Sequence, residues 1–421
     1  MIPPQQSSPR AVARSVGRGL SIRTASDALL FSSMFFFTFS YTLIRSMLLP
    51  LLPIQDTYDV CRICALLAIV SEGLAQKEAE LLGWRQWAVV AFGLLVVFIA
   101  PIHWGATQWD YVLFVVLIIC ARHTSFEVAA KAAVAGIAVA TCIACGACLF
   151  GVTRDVIWQS ADRLRHGLGM RYPSYLQHIL FYLSLYYLYL SKGRIKVLPA
   201  SVLLVLAVLA NSYTDARNPF ILTIVLFVLA GALRALPTTP QPVPTHRWPA
   251  VVLTCVAACI IFYGIVLMVI YDPTNKTMAT WDAMLSTRLT LTHRNFVQYG
   301  IQPWGTPTIP IFGGSLNEEL TVASAGVNYN FIDNEFCYEL LVYGWIFFAG
   351  VTAGMLALTY TEARRGNWYI VLIILLVLLH SSIDKWMFSQ LDLFPLLIGT
   401  DFMAGRSPQH QTSGAHFVPV R

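Results

Sequence analysis

Polar positions are the interruptions in this chain. Apolar runs lie at about 28–44, 60–75, 87–103, 109–121, 128–150 and 173–191, and again at about 197–212, 218–235, 249–270, 335–360, 367–382 and 386–402. A hydrocarbon core of about 30 Å takes roughly 20 residues of helix to cross. The runs are continuous and lack the alternation of barrel strands, which leaves the helix as the spanning form. The pattern predicts an all-α polytopic membrane protein with about 12 transmembrane helices. Three runs are weak. The run at 60–75 contains Arg62 and Glu72, 109–121 is only about thirteen residues long, and 386–402 carries Asp392 and Pro395, as a re-entrant segment would.

The polar stretches divide the chain into a basic N-terminal segment (1–27), a first bundle of spans 1–8 (28–235), a linker (236–248), a second bundle of spans 9–12 (249–402) and a polar tail (403–421). The linker region RALPTTPQPVPTHRWP has five prolines and reads as a stiff spacer. Within the second bundle a large loop, 271–334, follows span 9; it is rich in aromatics and apolar pairs and reads as a folded cap.

Composition agrees: 57% hydrophobic, 12% charged and a mean hydropathy of +0.64 exclude a string of soluble domains, which carry roughly 25% charged residues. Membrane lipids are the expected surroundings, and no nucleic-acid partner is expected. The net charge of +6 matters through its distribution. Arg10, Arg14, Arg18 and Arg23 run into the first span with no small-residue cleavage site behind it, as in an anchor. With the N-terminus inside, 17 of the 28 Lys and Arg fall on the cytoplasmic side and nine outside, with Arg45 and Arg62 inside spans. That bias places both termini in the cytoplasm.

The external basic residues are then the exception. Eight of the nine, Arg154, Arg163, Arg165, Arg171, Arg217, Lys276, Arg288 and Arg294, lie in the segments 151–172, 211–218 and 271–334; the ninth is Lys385. Guanidinium forks match phosphate oxygens bidentately. The plainer reading is that such arginines snorkel to headgroups or pair with Asp155 and Asp162. Arg217 opens an apolar run, where a charge is costly unless it faces water or an anion. Arg288 and Arg294 are six residues apart, so a helix could aim both into one cavity, and His293 adjoins them. Acidic groups on the same side are Asp215, Asp282, Glu318, Glu319, Asp333 and Glu335. Asp333 and Glu335 stand at the top of an apolar helix, where carboxylates cap the helix and complement its dipole, or take a proton from a sugar hydroxyl.

Other signals deflate. Cys142, Cys145 and Cys148, like Cys61 and Cys64, sit in spans where small residues permit close packing, so no metal site and no cofactor are expected. FYLSLYYLYL is either a span whose tyrosines face partners or a path on which sugars stack.

Four fragments together resemble the O-antigen and capsule repeat-unit polymerases, the Wzy-type glycosyltransferases that share a superfamily with the O-antigen ligases. They are GLGMRYPS (167–174), NSYTDARNPFILTIVLF with Arg217 matched, STRLTLTHRNFVQYGIQPWGTPTIPIFGG with Arg288, Phe312 and Gly313 matched, and DNEFCYELLVYGWIFF with Asp333, Asn334, Tyr343 and Gly344 matched. Ser174 stands where family members often have Asn, and Asp215 and Ala216 precede the arginine where small residues are usual.

The resemblance implies a glycosyltransferase C-like architecture in a bacterial inner membrane. It implies a metal-independent transfer on undecaprenyl pyrophosphate-linked oligosaccharides at the external face. It also leaves room for a chain-length regulator as protein partner. On that reading Arg217 and Arg288, with Arg294, Arg171 and Asn334, bind pyrophosphate and substrate, and Asp333 is the first choice of base ahead of Glu335 and His293. Arg217→Ala is then expected to abolish polymer while single repeat units still reach the surface. Two rivals stand beside it. A ligase uses the same cavity with another acceptor. A flippase or solute transporter expects charges deep in central helices and pseudo-symmetric halves.

Overall fold

A computed structural model describes residues 9–49, 55–75, 83–99, 109–160, 163–235, 247–285, 287–311, 330–389 and 391–403. Phe312, Gly313, Glu318, Glu319, Asp162, most of the proline-rich linker and all but the first residue of the polar tail lie outside the described residues.

Each apolar run contains helix. The first nine helices are α1 (Pro9–Ile44), α2 (Gln55–Ala75), α3 (Trp84–Ile99), α4 (Trp109–Cys120), α5 (Phe126–Leu149), α6 (Ser174–Leu190), α7 (Val197–Thr214), α8 (Arg217–Ala235) and α9 (Arg247–Ile270). Two short helices of the long loop follow, α10 (Lys276–Met284) and α11 (Arg288–Tyr299). After them come α12 (Glu335–Tyr338), α13 (Trp345–Arg364) and α14 (Trp368–Ser381). Among the described residues six helical segments are long and apolar enough to cross a membrane: Ala25–Ile44, Phe126–Leu149, Val197–Thr214, Arg217–Arg234, Arg247–Ile270 and Trp345–Arg364. The structure is thus that of a largely helical protein compatible with multiple membrane crossings.

Small residues set the closest packing. On α5 the buried face reads Ala129, Ala130, Ala132, Ala133, Gly136, Ala140 and Ala144, and it packs on α1. A side chain at Gly136 would run into Thr38 and the Phe35 carbonyl, so the glycine lets the two backbones approach. The cysteines of α5 lie along this helix as free thiols. In α6 the tyrosines serve the bundle: Tyr186 donates to the Leu391 carbonyl at 2.8 Å and accepts from Leu393 N at 2.9 Å. That favours the partner-facing reading of FYLSLYYLYL.

The ends of the elements meet at two poles. At one, here the cap end, the ends of α7, α9 and α14 meet the starts of α8, α11 and α12: Asn218 reaches Asp384, Arg288 reaches Asp333 and Asn334 reaches the Ser382 carbonyl. At the other, the linker end, Arg122 pairs with Glu72, and Arg365 pairs with Glu362 while reaching the Asp401 carbonyl.

Two features depart from plain helix. Residues 151–172 contain a small antiparallel hairpin, β1 (Ile157–Ser160) and β2 (Arg163–His166), with Ile157 opposite His166. Strands of four residues are too short for periodicity to announce against an all-α background. The run at 335–360 is also broken. After α12 the chain makes a π turn over Glu339–Tyr343, and Gly344 at φ 91° precedes α13. The cap loop enters the break: Thr306 N donates to the Leu341 carbonyl at 2.8 Å, and Trp345 N donates to the Gln302 carbonyl at 3.1 Å. These bonds take up backbone groups that an interrupted helix would leave unpaired. Gly305 and Gly344 touch backbone to backbone here, and a side chain on either would strike the other's segment.

Within the long loop, Asn275 caps α10 by accepting from Thr277 N and Met278 N. Buried Asp282 ties the segment together, accepting from Leu289 N at 2.8 Å, Thr290 N at 3.1 Å and the Tyr271 hydroxyl at 3.2 Å. The described parts of 271–334 are therefore folded.

Candidate functional site

Arg288 is the hub of the cap end. Starting α11, it extends Nε to Asp333 Oδ2 at 3.1 Å and Nη1 to Asp384 Oδ1 at 3.1 Å, and Nη1 also donates to the Ile383 carbonyl at 2.7 Å. Asp384 follows α14, and its second oxygen accepts from Asn218 Nδ2 at 2.5 Å. Asn334 caps α12 by accepting from Cys337 N at 3.0 Å, and its amide nitrogen donates to the Ser382 carbonyl at 2.6 Å. The capping role expected of Asp333 and Glu335 thus belongs to the asparagine between them, which leaves Asp333 turned to Arg288.

Behind Asp384 lie two buried histidines. His178 Nδ1 and His380 Nε2 share a hydrogen bond of 2.9 Å, and Trp386 stacks on His178 with ring centroids 4.2 Å apart. Among the described residues His178, His380 and Asp384 are the one group whose donor atoms gather closely enough for a metal, all within 4.8 Å. Each is already engaged, however: the histidines with each other, and the aspartate oxygens with Arg288 and Asn218. The arrangement is that of a hydrogen-bonded network behind a charged mouth.

The two carboxylates have different proton affinities. Burial pushes the Asp333 carboxyl up to about 7, with Arg288 opposing and Asp384 assisting. At Asp384 burial works in the same upward direction, but Arg288, the two imidazoles and the Asn218 hydrogen bond outweigh it and hold the group below its ordinary value. Asp384 is therefore the standing counter-ion of Arg288, and Asp333 can exchange a proton near neutrality.

Of the residues expected from sequence, Arg288, Asp333 and Asn334 come together. Arg217 points away: its Nε pairs with Asp215 Oδ1 at 3.0 Å and the side chain is 69% exposed, while its neighbour Asn218 joins the cluster. Glu335 turns into the bundle, 1% exposed, and accepts from the Tyr111 hydroxyl at 2.6 Å. His293 Nδ1 donates to the Met268 carbonyl at 2.8 Å. Arg294 Nη2 donates to Asn330 Oδ1 at 2.9 Å, on another part of the cap. Arg171 lies against the end of α1, where its backbone N donates to the Arg45 carbonyl at 2.9 Å.

No family model, curated protein or solved structure matches the chain.

Sequence reasoning missed Asp384, Asn218, His178 and His380. One signal was available: HSSIDKW is a short break between two apolar runs, and a charge in so short a break must sit at the mouth of the bundle.

Proposed function

We propose that the protein is a membrane glycosyltransferase that polymerises undecaprenyl pyrophosphate-linked oligosaccharide repeat units into O-antigen, capsule or exopolysaccharide. One observation carries the reading. Three of the four fragments that resemble the polymerases, distant in sequence, converge on one cluster through Asn218, Arg288, and Asp333 with Asn334. In this reading about 12 spans cross a bacterial inner membrane, both termini are cytoplasmic and the cap end faces out. The basic residues Arg194, Lys196 and Arg234, which line one groove at the linker end, support that orientation.

The chemistry follows from the two carboxylates. A hydroxyl of the incoming repeat unit attacks the anomeric carbon of the growing chain. The new C–O bond forms as the bond to the carrier pyrophosphate breaks, and the carrier leaves with the electron pair. Asp333, whose affinity lies near 7, accepts the hydroxyl proton. Arg288, held between Asp333 and Asp384, fixes the base and presents positive charge to the leaving group. No step is routed through a metal. Purified protein given lipid-linked repeat units should yield a ladder, and Asp333→Asn should yield it far more slowly. A ladder from the variant equal to wild type removes Asp333 as the base. In a deletion strain, accumulation of single repeats supports a polymerase, whereas polymer left on the carrier supports the ligase.

A second reading has its own observation. Glu335, Glu339 and Asp392 are all buried, and both Glu339 oxygens lack a hydrogen-bond partner among the described residues. Carboxylates at such depth are what a proton-coupled transporter or flippase needs. Proton uptake by reconstituted vesicles on adding lipid-linked units, without a ladder, would decide for it.

A further inference from the structure

The turn from α6 to α7, at the linker end, is rigidly built. Lys192 and Gly193 take left-handed φ of 52° and 77°, Gly193 N donates to the Leu188 carbonyl at 3.1 Å, and Arg194 N donates to the Ser191 carbonyl at 2.9 Å. Lys196 is then clasped by α6: its N donates to the Tyr187 hydroxyl at 2.6 Å, and its carbonyl accepts from that hydroxyl at 3.1 Å. The next residue begins α7. Lys196 gives this helix no side-chain cap and Pro199 brings no amide, so the amides of Val197 and Leu198 stand at its open, positive end.

Basic side chains suit the opposite end of a helix, where they complement the dipole. Arg234, in the last turn of α8, obeys that rule, whereas Arg194 and Lys196 break it. The three line one groove of about 560 Å³ together with Ile195 and Val197. No carboxylate lines it among the described residues, and none of the three cations forms an ion pair there. Away from this basic rim the surface is apolar. Val197 and Leu198 are 72% and 76% exposed, and Val202, Val205 and Val228 continue the exposed apolar surface along α7 and α8. These helices supply the segments Val197–Thr214 and Arg217–Arg234, both long and apolar enough to cross a membrane. The groove therefore stands where two such segments would leave the hydrocarbon, level with the lipid headgroups.

We propose that this groove binds an anionic phospholipid, with the phosphate among Arg194, Lys196 and Arg234 and the acyl chains along α7 and α8. Guanidinium forks give paired donors to phosphate oxygens, and the open amides of α7 add to the positive field. An anion at the start of α7 also offsets the cost of holding two cations there. A free phosphate would meet the cations and leave the apolar flank bare; an amphiphile meets both. Basic pockets between helices at a membrane boundary hold headgroups by this chemistry. The site needs only a chain that crosses a membrane, and it lies at the opposite pole from the Arg288 cluster, so it does not rest on the transferase reading.

The test uses the full-length protein, freed of lipid in detergent. Thermal unfolding is followed as phosphatidylglycerol, phosphatidylcholine or inorganic phosphate is added. Three proteins are compared: wild type, the groove variant Arg194→Gln/Lys196→Gln/Arg234→Gln, and a control, Arg85→Gln/Lys131→Gln/Arg247→Gln, that removes as many charges outside the groove. Wild type and control should gain in Tm with phosphatidylglycerol at concentrations where phosphatidylcholine and phosphate do nothing. The groove variant changes exposed positions only and should fold. It should need roughly tenfold more phosphatidylglycerol, or more, for the same rise, with Arg194→Gln alone in between. A wild-type response from the groove variant overturns the site, as does an equal loss in the control. Equal action of phosphatidylcholine removes the role of charge, and equal action of inorganic phosphate removes the lipid. The presence or absence of a ladder from lipid-linked repeat units leaves each of these outcomes unchanged.

Discussion

The two poles of the bundle use charge differently. At the linker end two arginines each meet a buried carboxylate: Arg122 meets Glu72 at 2.6 Å, and Arg365 meets Glu362 at 2.5 Å while Asn367 serves the second oxygen of Glu362 at 2.6 Å. At the cap end Arg288 faces two carboxylates, Asp333 and Asp384. A matched buried pair holds elements together and asks for nothing more. An unmatched one is completed by a proton or a ligand. Asp333 is the surplus acid.

The contrast can be broken from either side. The largest effect is expected at the matched pole: Arg122→Ala takes a buried ion-pair partner from Glu72 and should cost about 3–5 kcal/mol of stability, read by denaturant or heat. On the proposed transferase reading, which the following predictions share, the folded fraction should keep normal transfer per molecule. Arg288→Ala should do the reverse, with protein still made but transfer per molecule down by roughly 10²–10³-fold; a normal rate would return Arg288 to a structural role. Asp333→Asn comes next, with a loss on the order of 10²-fold. With Asp333 as the proposed base, active when deprotonated, the wild-type rate should rise with pH through about 7 and level off above it, and the variant should lose that limb. The smallest effect is expected at Arg217, whose exposed pair with Asp215 is worth under about 1 kcal/mol. Arg217→Ala should therefore stay nearer wild type than Arg288→Ala does. Complete loss of polymer would restore it to the site, as the resemblance expects.

Much of this architecture is legible in the sequence. The twelve apolar runs all contain helix because burying backbone polar groups in lipid leaves a chain little choice. The break at Gly344 was not legible, since its cause lies in residues 302–306, forty positions away. The site was legible in part. Arg288 and Asp333 lie on opposite sides of the loop, in motifs that can be read, whereas His178 and His380 sit inside apolar helices where composition hides them. Arg217 drew attention by opening an apolar run, but it is the adjacent Asn218 that faces inward. One residue along a helix turns a side chain by about 100°, and sequence alone does not tell which of two neighbours faces the cavity.

The loop threaded between Leu341 and Trp345 has a consequence for biogenesis. Residues 302–306 must reach the cap end before the segment from Glu335 to Arg364 can close on them, so placement of the loop precedes completion of that fold. The crossing of Gly305 and Gly344 is thus a checkpoint in assembly. A bulky residue there should read out as a chain caught by quality-control proteases during insertion, before folded protein accumulates.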